Sequence, residues 1–485
     1  MTILCVILTY MLCVAAAAPH LRTLQTAHYR AWGAMPKGQA LCLAGLALYA
    51  VIACFVWPWC LPDARWRALY LTVAYLPTAA WLVASVRSAH PARTHRLWRL
   101  WAVYALMMAV PAVLAACLPS AYYVWGMGGA AVYPVVQVAA MVTYPIETMR
   151  NRRFIRRMRD KLRAMRVCTV GITGSAGKTT VKRLVTAALG EGCYATPGNY
   201  NTPIGLALSI RAMPADTRWF VAEMGVGRPN DMVDLLDVVH PDVGVVTCVL
   251  PQHTAHFASV QQIRQEKCRL LQCASWPLCH VSVGYASHTF GEGGEWWAEQ
   301  VRLARDATTF DICSRAERHT VTLPLVGRQT VDNALAAWAV ARHLGVVPEV
   351  IAARWRYVRP EPHRLSVSRT PQGVYVVDDG YNCNIRGAEY ALEYLRLYEG
   401  RKVVTTSGIE EADPALCLNR RLGEMIAGTA DVVVVVGRRH LAELMAGLGT
   451  RIEVHTVPDT AHSVALYRQL LHEGDVVLIM ADYPS

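Results

Sequence analysis

Residues 171–180 read Gly171-Ile-Thr-Gly-Ser-Ala-Gly-Lys-Thr-Thr180. Side chains of these types at this spacing are suited to holding phosphate. Gly174, Ser175, Ala176 and Gly177 present backbone N–H groups with little bulk. Lys178 carries a charge that reaches the outer phosphates, and the Thr179 hydroxyl is a ligand for Mg²⁺, with Thr180 closing the run. One position departs from the common phosphate-loop pattern, because Ile172 stands six residues before Lys178 where glycine is usual. A glycine-rich turn with an incidental lysine would explain the loop alone. It would not explain the β-branched run Val167-Cys-Thr-Val170 before it, or the helical pattern from Val181 after it. Strand, loop and helix together predict a nucleoside triphosphate site.

Other chemistry-bearing residues stand at the ends of apolar runs. Glu223 closes Trp219–Met224 and is placed to hold Mg²⁺ beside a phosphate. His253 and His256 follow Val243–Val249, where a neutral imidazole can complete a metal shell. Asp378 and Asp379 close Val374–Asp379. Taken singly, each is more often structural, a carboxylate capping the next turn or a satisfied loop histidine; beside a phosphate loop they form a candidate site.

The elements that must position these groups follow from residue 167 onward. The runs already named, with Lys402–Thr405, Asp431–Val436 and Asp475–Ile479, read as buried strands. Helical patterns lie between them at Val331–Leu344, Gly387–Leu397 and Asn419–Ala427. This alternation predicts parallel α/β sheets with ligands at the carboxyl ends of strands. A break at 355–363 separates two such units.

The first third is different. Residues 1–167 hold 18 Lys and Arg against 3 Asp and Glu, and the remainder 30 against 33, so the net charge of +12 belongs to the N-terminal part. Five apolar stretches, at roughly 2–19, 40–59, 67–86, 99–118 and 121–146, match the span length of about 20 residues. The first could instead be a signal peptide, but Ala15-Ala-Ala-Ala18 is its only cleavage hint and it lacks a basic leader, so the span is the favoured reading. Arginine and lysine in the 20–39 and 87–98 loops and after residue 147 predict an outside N-terminus and a cytoplasmic remainder. The run from Arg150 to Arg166 reads as a basic helix, lying along anionic headgroups or simply solvated. Basicity confined to this region argues for membrane lipids and against nucleic acid as partner. The fifteen cysteines are scattered without a C-x-x-C pair and read as buried small hydrophobes.

These pieces, in this order, resemble the Mur ligase family, the ATP-dependent amide-forming enzymes of peptidoglycan precursor synthesis. The likeness rests on Thr173–Thr180, Gly198-Asn-Tyr-Asn-Thr-Pro-Ile-Gly205, Ala222-Glu-Met-Gly225, the fourteen-residue spacing of His253 and Lys267, Asn333-Ala-Leu-Ala-Ala337 and Asp378-Asp-Gly-Tyr-Asn-Cys-Asn384. The spans followed by Tyr144-Pro-Ile-Glu147 look like a membrane-anchored subgroup. The resemblance implies four segments: a multi-span α-helical membrane domain (1–149), a basic juxtamembrane helix (150–166), a central phosphate-loop ATP-binding α/β domain (167–358) and a smaller Rossmann-like α/β C-terminal domain (359–485). It implies that Lys178 binds phosphates, that Thr179 and Glu223 hold one Mg²⁺, and that His253 holds a second with Lys267, carbamylated in relatives. It assigns adenine to Asn333, the γ-phosphate to Arg364 and ribose to Asp379.

The implied reaction activates a carboxylate as an acyl phosphate for attack by an amine, an amino acid or a D-alanyl-D-alanine-like dipeptide. The implied location is the bacterial cytoplasmic membrane. Departures fall on the substrate side. Cys248 replaces the family's asparagine after the second strand, Ala255 its acid, Gly327-Arg-Gln-Thr330 its G-x-H-N segment and Ile385 its proline. Spans stand where the family has a UDP-holding domain, so the muramyl-peptide acceptor is expected to be UDP-linked or lipid-linked. A ligase or amidating enzyme of another pathway, and a membrane protein that binds ATP without turnover, remain open at this level. A transport ATPase is disfavoured, because a second phosphate loop is absent.

Overall fold

The computed structural model describes residues 10–26 (apart from 12 and 16), 94–117, 128–251, 256–381, 383–409 and 416–481. The chain divides into two units, Met1–Arg153 and Phe154–Ser485.

In the first unit the described helices are α1 (Ala18–Thr26), α2 (His95–Cys117) and the early part of α3 (Gly128–Met165). Among the described residues no helix is long and apolar enough to cross a membrane. This corrects the five-span domain, the multi-pass location in the cytoplasmic membrane and the lipid contacts expected above, and the lipid-linked acceptor loses its basis with them. The stretches 40–59 and 67–86 lie outside the described residues. A physical reason is visible where side chains are placed. Leu21, Leu24, Leu97, Tyr104, Met108, Val132 and Val136 bury against one another as a helix-on-helix core. The Tyr104 hydroxyl donates to the Cys13 carbonyl at 2.8 Å, and Trp101 Nε1 to that of Val14 at 3.0 Å. An apolar helical stripe reads alike in sequence whether it faces lipid or another helix. Arg99 and Glu147, at the edges of two expected spans, form a two-pronged ion pair at 2.5 and 2.8 Å.

The second unit carries the predicted α/β architecture. Its first sheet runs β2 (Cys193–Ala195), β3 (Trp219–Glu223), β1 (Cys168–Thr173), β4 (Val243–Val246), β5 (Trp276–His280), β6 (His288–Phe290), with every pairing parallel. β3 and β4 are buried along almost their whole length, as a sheet covered on both faces requires. Helices α4 (Lys178–Leu189), α5 (Pro203–Ala212), α6 (Asp231–Val238) and α7 (Val260–Cys273) connect these strands. A three-stranded antiparallel sheet follows, β7 (Trp297–Leu303), β8 (Thr308–Cys313) and β9 (Arg318–Leu323), which the sequence pattern did not announce. Phe310, Ile312, Val321 and Leu323 from it join the core formed by α4, α8 (Gln329–His343) and α9 (Pro348–Trp355).

The second sheet is ordered β10 (Ser366–Arg369), β11 (Tyr375–Asp378), β15 (Val476–Met480), β12 (Lys402–Thr406), β13 (Val432–Val436), β14 (Glu453–Val457). Only β10 is antiparallel. Helices α10 (Ile385–Leu395), α11 (Leu418–Ala427), α12 (Leu441–Leu448) and α13 (Thr460–Leu470) connect it. The last strand, β15, therefore lies between β11 and β12. Asn384 caps α10, its side chain accepting from the Gly387 N–H at 2.9 Å, which fixes the chain just beyond Asp379.

Candidate nucleotide site

The central strand β1 delivers the loop Gly174–Gly177 to the start of α4. Gly174 (φ 149°) and Gly177 (φ 82°) adopt backbone conformations closed to most side chains. A Cβ on Gly174 would also collide with the Thr247 hydroxyl, and one on Gly177 with the Asn333 amide. The loop is braced by the chain after β4. Ser175 N–H donates to Cys248 O at 2.9 Å, Ala176 N–H reaches Cys248 Sγ at 3.3 Å, and Leu250 N–H donates to Ser175 Oγ at 2.9 Å.

Lys178 Nζ donates to the Gly174 carbonyl at 2.7 Å. Burial pulls its ammonium below the usual lysine range, and Arg364 pulls in the same direction against Glu223. Glu223, 2% exposed, ends β3 beside it. Its Oε2 accepts from Thr179 Oγ1 at 3.1 Å and pairs with Lys182 Nζ at 3.0 Å, while Oε1 accepts from Asn201 Nδ2 at 3.3 Å. Burial alone would raise this carboxyl, but the charges of Lys182 and Lys178 and the hydrogen bonds from Lys182 and Thr179 outweigh it and hold it below its ordinary value.

Lys267 is buried on α7. Burial, helped by Lys178, lowers its pKa to about 7. His253 lies outside the described residues, and His256 is exposed. Among the described residues no group of three or more His, Cys, Asp or Glu side chains comes together as a metal cage.

The second sheet faces this loop across a cleft lined by Gly177, Thr180, Asn333, Arg364, Asp379 and Asn384. Arg364 and Asp379 thus share a lining with Gly177, and the Arg364 charge acts on Lys178. His363 and Leu365 flank Arg364 with φ of 61° and 47°. They are tied down by Asp378, whose Oδ2 lies 2.7 Å from His363 Nδ1, and by Asp379, whose Oδ1 accepts from the Leu365 N–H at 3.0 Å. The Arg364 guanidinium stacks 3.8 Å from the Tyr381 ring centroid. Burial raises the Asp379 carboxyl to about 7, with Arg364 opposing.

Side chains without an assigned role also enter the site. Lys182 and Asn201 touch Glu223, and Arg386 and His280 flank Asp332 beside Asn333. Lys182 had a readable signal, since it follows Lys178 by four residues on one helix face. His280, from the sheet's fifth strand, and Arg386 had none, because nothing in the sequence brings them together.

Two family models match this chain, the Mur ligase middle domain over residues 172–341 and the Mur ligase glutamate ligase domain over 363–483, together more than half of it. The chain belongs to the Mur ligase family. UDP-N-acetylmuramoyl-tripeptide–D-alanyl-D-alanine ligase of Bacillus subtilis (strain 168) is 27% identical over 275 residues, covering 53% of this chain and 60% of that protein. Its counterpart in Mycobacterium tuberculosis (strain ATCC 25618 / H37Rv) is 28% identical over 356 residues, covering 64% and 70%. Among solved structures, MurF ligase from Thermotoga maritima in complex with ADP aligns with a TM-score of 0.62 at 25% identity, covering 68% of this chain and 80% of that one. MurF from Acinetobacter baumannii shares the fold, with a TM-score of 0.60 at 22% identity over 67% and 75%. The chain spans 60% and 61% of the length of the Bacillus subtilis and Haemophilus influenzae relatives.

The Mur ligase site fits the groups that the family implies. The two glycines allow a loop conformation that brings its backbone close against Thr247 and Asn333, and the Lys178 ammonium folds back onto the Gly174 carbonyl. Thr179 and Glu223 offer hard oxygen donors, and the carboxylate is held ionised, which suits Mg²⁺ bound through a few protein oxygens together with phosphate.

Proposed function

We propose that this chain is an ATP-dependent ligase that joins a carboxylate to an amine through an acyl phosphate. The supporting observation is the cleft in which the phosphate-loop residues Ala176, Gly177 and Thr180 face Arg364 and Asp379, with Lys178 within reach of the Arg364 and Glu223 charges and Thr179 bonded to Glu223. ATP occupies that cleft, with its phosphates on Gly174–Thr180, adenine beside Asn333 and ribose against Asp379. Residues 167–358 form the central ATP-binding domain and 359–485 the C-terminal one.

A carboxylate oxygen of the acceptor attacks the γ-phosphorus, and the bond from that phosphorus to the ADP oxygen breaks. The amine nitrogen then attacks the acyl carbon, loses a proton, and inorganic phosphate leaves. Lys178 and Arg364 neutralise the anionic oxygens along this path. Thr179 and Glu223 hold Mg²⁺, which supplies further charge neutralisation when bound. His253 and Lys267 are assigned to a second Mg²⁺. A lysine with a pKa near 7 has a substantial share of the neutral amine that adds CO₂ at neutral pH, and the carbamate formed carries the negative charge a metal ligand needs.

The names of the relatives point to a muramyl tripeptide as acceptor and D-alanyl-D-alanine as amine. The test is phosphate release from ATP by the full chain with UDP-linked muramyl peptides and other carboxylates, each paired with amino acids and D-alanyl-D-alanine. Release should need both partners, fall when bicarbonate is removed, and drop by about a thousandfold in Lys178→Ala. ATP binding without release under every pairing would sink the ligase reading.

A further inference from the structure

Lys182 is a buried cation for which the reaction above has no use. Its side chain is 5% exposed and that of Glu223 3%. Nζ stands 3.0 Å from Glu223 Oε2 and donates to the Gly198 carbonyl at 2.7 Å. The same Oε2 accepts from Thr179 Oγ1. The oxygen that would complete a metal pair with Thr179 thus already carries a positive charge. An ammonium and a divalent ion at contact with one oxygen repel, so metal entering at Oε2 pushes the Lys182 ammonium away from it. Lys182 has room to leave, because it lines a cavity of about 880 Å³ together with Thr179, Arg183, Thr196 and Gly198.

We propose that Lys182 is a place-holder for the divalent metal: it neutralises Glu223 while no metal is bound, and moves off Oε2 toward the cavity when metal enters, keeping the Gly198 carbonyl as its anchor. This rests on the reading that Thr179 and Glu223 hold metal. Two consequences follow. Metal affinity in the absence of nucleotide is set below what the oxygen ligands alone would give. The Gly198–Asn201 loop, which places Asn201 on Glu223 Oε1, is linked to metal occupancy through Lys182.

The experiment uses the full chain without nucleotide. Mn²⁺ binding is followed by the electron paramagnetic resonance signal of the free ion, and thermal midpoints are taken after chelator treatment and after Mn²⁺ addition. Stripped of metal, Lys182→Met should melt about 6–12 °C below wild type, because it leaves a buried carboxylate unpaired. Mn²⁺ should recover most of that loss and bind about tenfold more tightly than to wild type, while Lys182→Arg should behave as wild type. A Lys182→Met protein, or its Lys182→Gln counterpart, that binds Mn²⁺ no more tightly, or whose loss Mn²⁺ does not recover, would overturn the proposal and leave Lys182 a structural partner. Glu223→Gln separates the two readings. If it loses the Mn²⁺ site that wild type shows, the metal assignment stands whatever Lys182 does. If it binds Mn²⁺ as wild type does, the metal assignment itself fails.

Discussion

Glu223 and Asp379 occupy equivalent places in two sheets and behave in opposite ways. Each stands at the carboxyl end of a parallel strand, yet the Glu223 carboxyl is held below its ordinary value and Asp379 is raised to about 7. Burial pushes both upward. Glu223 has Lys182 and Lys178 against that push, with two side-chain hydrogen bonds, whereas Asp379 has one guanidinium and one backbone N–H and lies beside a second aspartate. Position in the fold therefore does not fix the state of a strand-end acid; the number of cations within reach does.

The comparison can be broken most directly at Glu223. Glu223→Gln leaves Lys182 and Lys178 buried without their anion. It should cost about 3–5 kcal/mol of unfolding free energy at pH 7, measured by denaturant titration. A cost under about 1 kcal/mol would mean the lysines are not holding a charge there. Because its pKa is lowered on folding, the Glu223 contribution is present above the unfolded carboxylate value near 4.3 and fades as pH falls below it.

Asp379 gives the opposite slope. Its folded pKa of about 7 exceeds the unfolded value near 3.9, so its contribution is complete only below the unfolded value and is lost progressively as pH rises to about 7. Asp379→Asn keeps an oxygen for the Leu365 N–H. It should match wild type near pH 4 and exceed it by about 2–4 kcal/mol at pH 8, with a flatter profile between. Parallel pH profiles for the two proteins would show that Asp379 is ionised throughout.

The smallest effect is expected at Cys248, which braces the loop through Sγ and the Ala176 N–H. Cys248→Ser can keep that bond, and should change stability by less than about 1 kcal/mol and ADP affinity by less than about threefold. A larger loss would mark the thiol as a specific element of the loop.

How much of this was legible in sequence differs between the two sheets and the N-terminal part. The buried strands β1, β3, β4, β11, β12, β13 and β15 were readable because each is a short run rich in apolar residues, most of them β-branched outside β3. β7 and β9 were missed because their charge-bearing alternation, as in Arg318-His-Thr-Val-Thr-Leu323, carries little apolar signal, and the buried β8 because Thr and Asp interrupt its apolar residues. In the site, Lys178, Thr179 and Glu223 could be placed from the loop and the strand end alone. The approach of Arg364 and Asp379 depends on how two sheets meet, which no local pattern encodes. The apolar N-terminal stretches misled because hydropathy measures what a side chain avoids, not which helix or lipid it meets instead.

The place of β15 has a consequence for how the protein is made. Asp379 N–H donates to the Ile479 carbonyl at 2.9 Å, and β11 and β12 touch each other only through this strand. During synthesis, the phosphate loop and its sheet are available some two hundred residues before the strand that completes the opposite wall. A nascent chain can thus build a phosphate cradle long before it can close a cleft over it, and the second wall waits for one late, long-range pairing. Until β15 pairs, the phosphate loop of such an intermediate stands without the Asp379 N–H tied to Ile479 and without the finished sheet that carries the opposite wall.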